Sequence, residues 1–200
     1  PGQDYCVGGT ITSCRDDGTP GDPKRTCPGS ACSGGVCVDP CTEAAARRSY
    51  LGCSYWPTVT ANAVVPEVAH FAVAVANPND VAVDIVITRG NFKLDNIHVM
   101  PGDLQTIQLP WVKELLQAPG IDNNGLPAYA SRLVPEGAYK LNSTQPVNVY
   151  QFNPLEFAVR PNCADGDRTC FTFSNDASLL LPTSTMTGHY IVIARPTWMM

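Results

Sequence analysis

Residues 71–87 read FAVAVANPNDVAVDIVI, and their alternating pattern predicts two β-strands joined by a turn. Over residues 71–76, phenylalanine and valine point one way and alanine the other, as the two-residue period of a strand requires. Residues 77–80 (Asn-Pro-Asn-Asp) predict a turn, because Asn-Pro starts turns and proline cannot donate to a β-ladder. Residues 81–87 then predict the returning strand of a hairpin.

The same period continues along the chain with turn signals between the apolar runs. Met100-Pro101-Gly102-Asp103 has proline followed by glycine, the order that suits a type II turn. Residues 190–194 are apolar on both faces, which predicts a central strand covered on both sides. Further strands are predicted at residues 97–99, 104–109, 138–141 and 147–152. The pattern predicts an all-β protein whose body is an antiparallel β-sandwich.

Helical signals are brief. Thr42 is a candidate N-cap for a short helix through residues 44–48, where alanine and arginine are good helix formers. Residues 111–116 predict one or two further helical turns. The aromatic residues 50–56 are expected to pack between the N-terminal region and the body.

Cysteine is concentrated near the start of the chain. Residues 1–40 contain turn-forming glycine and aspartate but few apolar runs, so covalent links are expected to replace a hydrophobic core. We therefore predict a disulfide-rich module over residues 1–40 and the β-sandwich over residues 41–200. The disulfide candidates are Cys6, Cys14, Cys27, Cys32, Cys37, Cys41, Cys53, Cys163 and Cys170.

Zinc is the alternative for these cysteines. No histidine precedes His70, and the close cysteine spacings overlap instead of forming two separate pairs, which favours disulfides. Cys41 and Cys53 bracket the first helical segment and are expected to pair, as are Cys163 and Cys170. The total of nine leaves an odd cysteine.

Composition limits the function classes. Hydrophobic residues make up 44% and charged residues 16%, and the net charge is −5, which gives no electrostatic footprint for nucleic acid. No apolar stretch is long enough to span a bilayer. The cysteine content predicts an exported protein, extracellular or at the cell surface, in an oxidising environment.

The two ends of the chain predict a piece of a longer secreted protein. The chain starts at Pro1, and it ends on the apolar residues 197–200. The odd cysteine supports the same expectation, because its partner would lie outside this chain.

Three phrases carry a family resemblance. They are residues 40–57 (PCTEAAARRSYLGCSYWP), residues 138–155 (AYKLNSTQPVNVYQFNPL) and residues 174–182 (SNDASLLLP). Together they resemble the IgGFc-binding protein N-terminal domain family, over roughly residues 40–200. The resemblance implies a domain that continues beyond residue 200 and is similar to those of bacterial members found in large exported proteins. The family's name implies binding to immunoglobulin G, and the family has no catalytic residues to carry over.

The segment before this region is similar to short cysteine-rich modules found upstream of the domain in such bacterial proteins. Those modules often begin with a further cysteine before the position of Cys6. The resemblance therefore implies that the unpaired thiol has lost its partner to truncation.

The search for chemistry predicts no enzyme and no cofactor. His70, His98 and His189 lie at or within predicted strands among apolar neighbours, where a structural role is the more common one. The chain has no H-E-x-x-H, no G-x-S-x-G and no phosphate-binding glycine loop. A thiol nucleophile would need a reduced cysteine, which an oxidising compartment disfavours.

Two loops offer oxygen ligands. Asp165 and Asp167, and separately Asp122, lie in clusters of aspartate, asparagine and glycine that could give calcium some of its six to eight oxygens. Such clusters are more often plain turns, so no metal site is predicted. Asn142-Ser143-Thr144 is a formal acceptor for N-glycosylation.

Binding is the remaining class of function. Tyr55, Trp56, Trp111 and Tyr129 are the candidate binding residues, because exposed tyrosine and tryptophan often anchor interfaces. The alternative is that these rings fill the core. The sequence favours a non-catalytic adhesion module for a protein or glycan ligand. A structural subunit that assembles with other copies through β-strand edges, near residues 190–200, is the alternative, and a hydrolase is a third, weaker one.

Overall fold

A computed structural model describes residues 3–62, 68–116 and 133–158. It also describes residues 160, 162, 164, 167, 170–172, 175, 177–186 and 188. All structural statements below concern these residues. The predicted strand at residues 190–194 lies outside them, as do His189, Tyr129, Cys163, Asp122 and Asp165.

The N-terminal region is a pair of small sheets. A three-stranded antiparallel sheet contains β1 (Asp4–Val7), β2 (Thr10–Cys14) and β3 (Pro20–Thr26). A two-stranded hairpin follows, formed by β4 (Cys32–Ser33) and β5 (Val36–Cys37). Few side chains are buried here, so the region has little apolar core of its own.

Disulfides join these sheets. Cys6 of β1 is linked to Cys32 of β4, and Cys27 is linked to Cys37 of β5. Cys14, at the end of β2, is the free cysteine of the described region. The links tie together strands whose hydrophobic burial is small, as the composition of residues 1–40 predicts.

The first helix connects this region to the body. Helix α1 spans Pro40–Arg47, and the Asp39 carboxylate accepts a hydrogen bond from the Thr42 backbone N–H at 2.8 Å. Asp39 is therefore the N-cap, and the assignment of Thr42 as the cap is wrong, because Thr42 already lies inside the first turn. Cys41 in α1 is linked to Cys53 in the strand that follows.

The body is built around one long strand, β11 (Lys140–Phe152). Its first half belongs to one antiparallel sheet and its second half to another, and the two sheets together form a nearly closed, barrel-like sandwich. The other strands are β6 (Gly52–Tyr55), β7 (Phe71–Ala76), β8 (Val83–Arg89), β9 (Phe92–Val99), β10 (Leu104–Leu109) and β12 (Ala177–Leu179). The all-β, antiparallel fold class is thus confirmed.

Strands β7 and β8 do not form the expected hairpin. β7 pairs with residues 148–152 of β11, and β8 pairs with residues 140–143, both antiparallel. The two strands therefore run in the same direction, one after the other along β11. Residues 77–82 make the step between the two sheets and not a chain reversal.

The next layer of pairing repeats this arrangement. β9 pairs with β8 and β10 pairs with β7, and the turn Met100-Pro101-Gly102-Asp103 separates β9 from β10. Gly102 has φ +75°, which glycine adopts without strain, and the Asp103 N–H donates to Met100 O at 3.1 Å. The expected turn is therefore present, although the strands on its two sides continue into different sheets.

Asn77 stabilises the point where the sheets meet. The residue is 1% exposed, and its side-chain nitrogen lies 2.8 Å from Val81 O, 2.9 Å from Val99 O and 3.1 Å from Met100 O. Its side-chain oxygen accepts a hydrogen bond from the Asn79 N–H. Its backbone N–H and C=O bond to the turn between β9 and β10. One side chain therefore satisfies backbone groups that the break in the strands leaves unpaired.

The core lies between the two sheets and is mainly valine, isoleucine, leucine and aromatic. The fully buried side chains of largest volume are Tyr55, Tyr139, Phe71, Ile85, Ile87, Leu141, Val73, Val75, Val83, Val99, Val112 and Val147. Helix α2 (Lys113–Leu116) is one short turn at the position that the sequence predicts. No helix in the described part of the chain has the length and apolar character needed to cross a membrane.

We predict that Asn77→Ala destabilises the protein by about 3 kcal/mol, because several buried carbonyl groups lose their donor. Asn77→Asp keeps the size of the side chain but replaces the donor with a charge, so it should cost at least as much. Urea unfolding followed by circular dichroism measures both. Asn91→Ala, at an exposed turn, is the control and should stay within about 0.5 kcal/mol of wild type. Equal effects at positions 77 and 91 would contradict the role of the Asn77 amide.

Candidate functional site

The sheet formed by β6, the first half of β11, β8 and β9 carries an exposed tryptophan on its outward side. Across this sheet, Ser54 of β6 lies opposite Asn142 of β11, and Lys140 of β11 lies opposite Thr88 of β8. Trp56 comes one residue after the end of β6. Because side chains alternate between the faces of a strand, these residues share the face turned away from the core. We call Trp56, Lys140, Ser54, Asn142 and Thr88 the Trp56 face.

Trp56 and Lys140 are in direct contact on this face. Trp56 is 41% exposed, and the Lys140 ammonium lies 5.7 Å from the centroid of its ring. A cation over the face of an indole is attracted to its quadrupole, which holds both side chains in a defined arrangement. The described residues provide no carboxylate within ion-pair distance of Lys140.

Short polar groups lie on the same face as the ring. The exposed Asn142 amide makes no hydrogen bond with other described residues, so its donor and acceptor face solvent. The Ser54 hydroxyl lies 3.3 Å from the Thr183 hydroxyl, which also donates to Ser54 O at 3.0 Å. Thr88 is partly exposed on the next strand. Val86, opposite Asn142, is also partly exposed here. The face therefore combines one aromatic ring, one cation, one small apolar side chain and several hydrogen-bonding groups on a regular sheet.

Tyr55 does not belong to this face, so its assignment as a binding residue is corrected. It lies opposite Leu141 and is fully buried. Its hydroxyl lies 2.5 Å from Val147 O and 2.8 Å from Tyr50 O. Burial raises the pKa of the Tyr55 hydroxyl well above its usual range.

The other aromatic candidates also lie elsewhere. Trp111 is partly buried: its ring packs 5.8 Å from that of Phe71, and its indole N–H donates to Ala69 O at 2.8 Å. Trp111 is therefore mainly a core residue, the alternative that the sequence left open. Tyr129 lies outside the described residues. Of the four aromatic candidates, Trp56 is the described one whose ring is presented to solvent.

The oxygen-ligand candidates are not brought together among the described residues. Asp167 takes part in a local turn, in which its N–H donates to Ala164 O and its C=O accepts from the Cys170 N–H. Asp165 and Asp122 lie outside the described part of the chain. No cluster of three or more histidine, cysteine, aspartate or glutamate side chains occurs within that part.

The two described histidines each face a carboxylate. His70 Nδ1 lies 2.5 Å from Glu156 Oε1, and the same carboxylate accepts the His70 backbone N–H. His98 Nδ1 lies 2.5 Å from Asp84 Oδ1 across β8 and β9. Both rings are exposed and link neighbouring segments, which is the structural role that the sequence favours.

Two clefts flank helix α1. One has a volume of about 190 Å³ and lies between the N-terminal region, α1 and the loop at Asn79 and Pro146. The other, of about 260 Å³, lies over the Cys41–Cys53 link. Both are below the 300–1,000 Å³ usual for small-molecule sites. Neither of these two clefts therefore has the size usual for a small-molecule site.

The sequence did not propose four members of this face as binding residues, namely Lys140, Asn142, Ser54 and Thr88, although it marks Asn142 as a formal N-glycosylation acceptor. The alternation of residues 138–142 could have indicated two of them. Tyr139 and Leu141 are apolar while Lys140 and Asn142 are polar, which predicts that the polar pair faces solvent. The strand β6 next to them could not be predicted from that pattern, because its pairing is set over a long sequence separation.

The bond that Cys170 forms is consistent with the predicted pairing. Cys170 is disulfide-bonded, whereas Cys163 lies outside the described residues. The Cys163–Cys170 pair therefore stays a prediction.

Comparison of the chain with protein-family models, with curated protein sequences and with solved structures finds no match.

Tyr55→Phe should change how stability depends on pH. A hydroxyl whose folded pKa is raised contributes stability below its unfolded pKa of about 10 and loses it as the pH rises further, at up to about 1.4 kcal/mol per pH unit. The variant should lose about 1 kcal/mol at neutral pH, because the Val147 carbonyl loses its donor. Above about pH 10, its stability should fall less steeply than that of wild type. Urea unfolding across this range tests the point, with Tyr50→Phe at an exposed ring as the control. Parallel curves for wild type and Tyr55→Phe would refute it.

Proposed function

We propose that this chain is a non-catalytic extracellular adhesion module that binds a protein or glycan ligand through the Trp56 face. The supporting observation is a tryptophan that is 41% exposed on the outer face of the sheet, with the Lys140 ammonium 5.7 Å from the centroid of its ring. A buried ring would support a core role instead, as Tyr55 does. Tryptophan is enriched among the residues that contribute most to binding energy.

The cysteines support an exported protein. Seven of the described cysteines are disulfide-bonded, counting Cys170, and such bonds persist in oxidising compartments. We further propose that residues 1–40 form a separate module, displayed together with the β-body on or outside the cell. The disulfides would then protect a region with little apolar core against unfolding outside the cell.

The resemblance to the IgGFc-binding protein N-terminal domain family supports the same class of function. The phrase over residues 138–155 contains β11, and the phrase over residues 40–57 contains α1, β6 and Trp56. Two of the three phrases that carry the resemblance therefore contribute to the Trp56 face. Immunoglobulin is one protein ligand that the resemblance implies.

We expect Trp56→Ala to weaken binding by about tenfold or more, because the ring is the largest apolar surface of the face. Biolayer interferometry against immunoglobulin G, mucin and a panel of polysaccharides identifies the ligand and measures the loss. Tyr50→Ala removes an aromatic ring that is 57% exposed but lies outside the face, so it should change binding by less than about twofold. Wild type that binds nothing in the panel, or a loss at Tyr50 equal to that at Trp56, would count against the proposal.

A structural subunit is the second candidate, and strand β10 favours it. β10 pairs with β7 on one side, and no strand among the described residues pairs with its other side. Its sequence, LQTIQL, has no charged residue. Strand β9, by contrast, carries the Lys93–Asp95 ion pair and a residue with φ +60° at Asn96, features that discourage edge pairing. An uncharged edge is open to pairing with another chain.

Size-exclusion chromatography with light scattering and electron microscopy test this second candidate. If copies assemble through β10, Thr106→Lys should shift the population to monomer, because a charge at the edge opposes pairing. Val68→Lys adds the same charge at an exposed loop and should leave assembly unchanged. A wild-type protein that is a uniform monomer would eliminate the filament alternative.

A further inference from the structure

We propose that the Trp56 face binds an acidic sugar, whose ring stacks on Trp56 and whose carboxylate pairs with Lys140. This inference deepens the proposed adhesion function and rests on it. Of the two proposed ligand classes, protein and glycan, it specifies a glycan, and it further specifies that this glycan is negatively charged.

The charge of the face differs from that of the chain. The chain as a whole has a net charge of −5, whereas the part of the face around Trp56 carries the ammonium of Lys140. Lys93, opposite Thr88 on β9, is paired with Asp95 at 2.6 Å and so adds no net charge, which leaves Lys140 as the source of positive charge beside Trp56. Positive charge in this part of an acidic protein favours an anionic ligand.

Two further carboxylates lie on or beside this sheet. Asp84 lies two residues before Val86, which pairs with Asn142, and it contacts His98 Nδ1. Along β8 it is about 13 Å from Thr88, the residue opposite Lys140. Glu136 lies against Gly90, beyond the end of β8. Lys140 is therefore the cation next to Trp56 that the described residues leave without an acidic partner.

The shape and chemistry of the face fit a sugar better than a protein surface. A sugar ring has an apolar C–H side that can cover an indole, and hydroxyl groups around its rim. Around Trp56, the Asn142 amide and the hydroxyls of Ser54 and Thr88 are hydrogen-bonding groups of the matching kind. Protein interfaces usually have several apolar side chains at their centre, whereas this face has one aromatic ring and the partly exposed Val86, opposite Asn142, among polar groups.

Lys140 has a simpler alternative role, which is to cover the Trp56 ring with its aliphatic stem. The two roles predict different results. A covering role makes Lys140 indifferent to the charge of the ligand, whereas carboxylate pairing makes it responsible for the preference for an acid over its neutral counterpart.

The test uses the full chain made in a bacterial periplasm, so that disulfides form and Asn142 carries no glycan. Two pairs of probes are titrated by calorimetry: sialyllactose with its carboxyl methyl ester, and a hyaluronan hexasaccharide with its carboxyl-reduced form. We expect wild type to bind each acid about tenfold more tightly than its neutral partner. Lys140→Gln should remove this preference but keep neutral binding, and Trp56→Ala should weaken binding of all probes.

Lys113→Gln is the matched control, because Lys113 is an exposed lysine on α2 outside the face and its loss changes the net charge equally. Equal binding of acid and neutral sugars by wild type would overturn the inference. So would an effect of Lys113→Gln as large as that of Lys140→Gln, since it would show a general charge effect. If wild type binds none of these sugars but still binds deglycosylated immunoglobulin through Trp56, the acidic-sugar inference fails and the adhesion function stands. If Trp56→Ala leaves the binding of every ligand unchanged, both the acidic-sugar inference and the adhesion function fail.

Discussion

The buried amide of Asn77 is the interaction on which the architecture of the body depends. Three strand paths in succession (β7 with β8, β9 with β10, and β11) pass from one sheet to the other at the same level of the molecule. At such a crossing, backbone groups lose their partners in the ladder. The Asn77 side chain bonds three carbonyl oxygens there, and its backbone joins the turn before β10. The chain can therefore change sheets inside the molecule without leaving these groups unsatisfied.

The Trp56 face follows from this arrangement. Because β11 continues through the crossing, its first half has β8 on one side and β6 on the other, and its outward residues form a regular row. The Cys41–Cys53 link joins α1 to β6, the strand that leads directly into Trp56. A covalent bond at the edge of the sheet thus supports the segment that presents the ring. Residues 1–40 bury few apolar side chains and are stabilised by disulfides, whereas the body is stabilised by its hydrophobic core.

The local sequence pattern was sufficient to predict where strands lie, but it was insufficient to predict which strands pair with each other. The alternation over residues 71–76 predicts β7 correctly, and the Pro-Gly turn before Asp103 is where the sequence indicates. The prediction of a hairpin between β7 and β8 is wrong. The Asn-Pro motif predicts the end of a strand, but it does not predict the direction of the strand that follows. The cap of α1 was misplaced by three residues for a related reason: Asp39 and Thr42 are both good capping residues, and which of them lies outside the first turn depends on where Pro40 begins the helix.

Fold class and the disulfide-rich start could both be read from the amino-acid sequence, because composition and short-range periodicity are local properties of the chain. The choice between Tyr55 and Trp56 could not. Neighbouring residues of a strand point to opposite faces, and only the pairing of Tyr55 with Leu141 establishes that Tyr55 enters the core and Trp56 remains outside. The contact with Lys140, far away in sequence, likewise exists only because β6 and β11 are neighbours in the folded sheet. Long-range pairing decides which side chains meet, and no local signal encodes it.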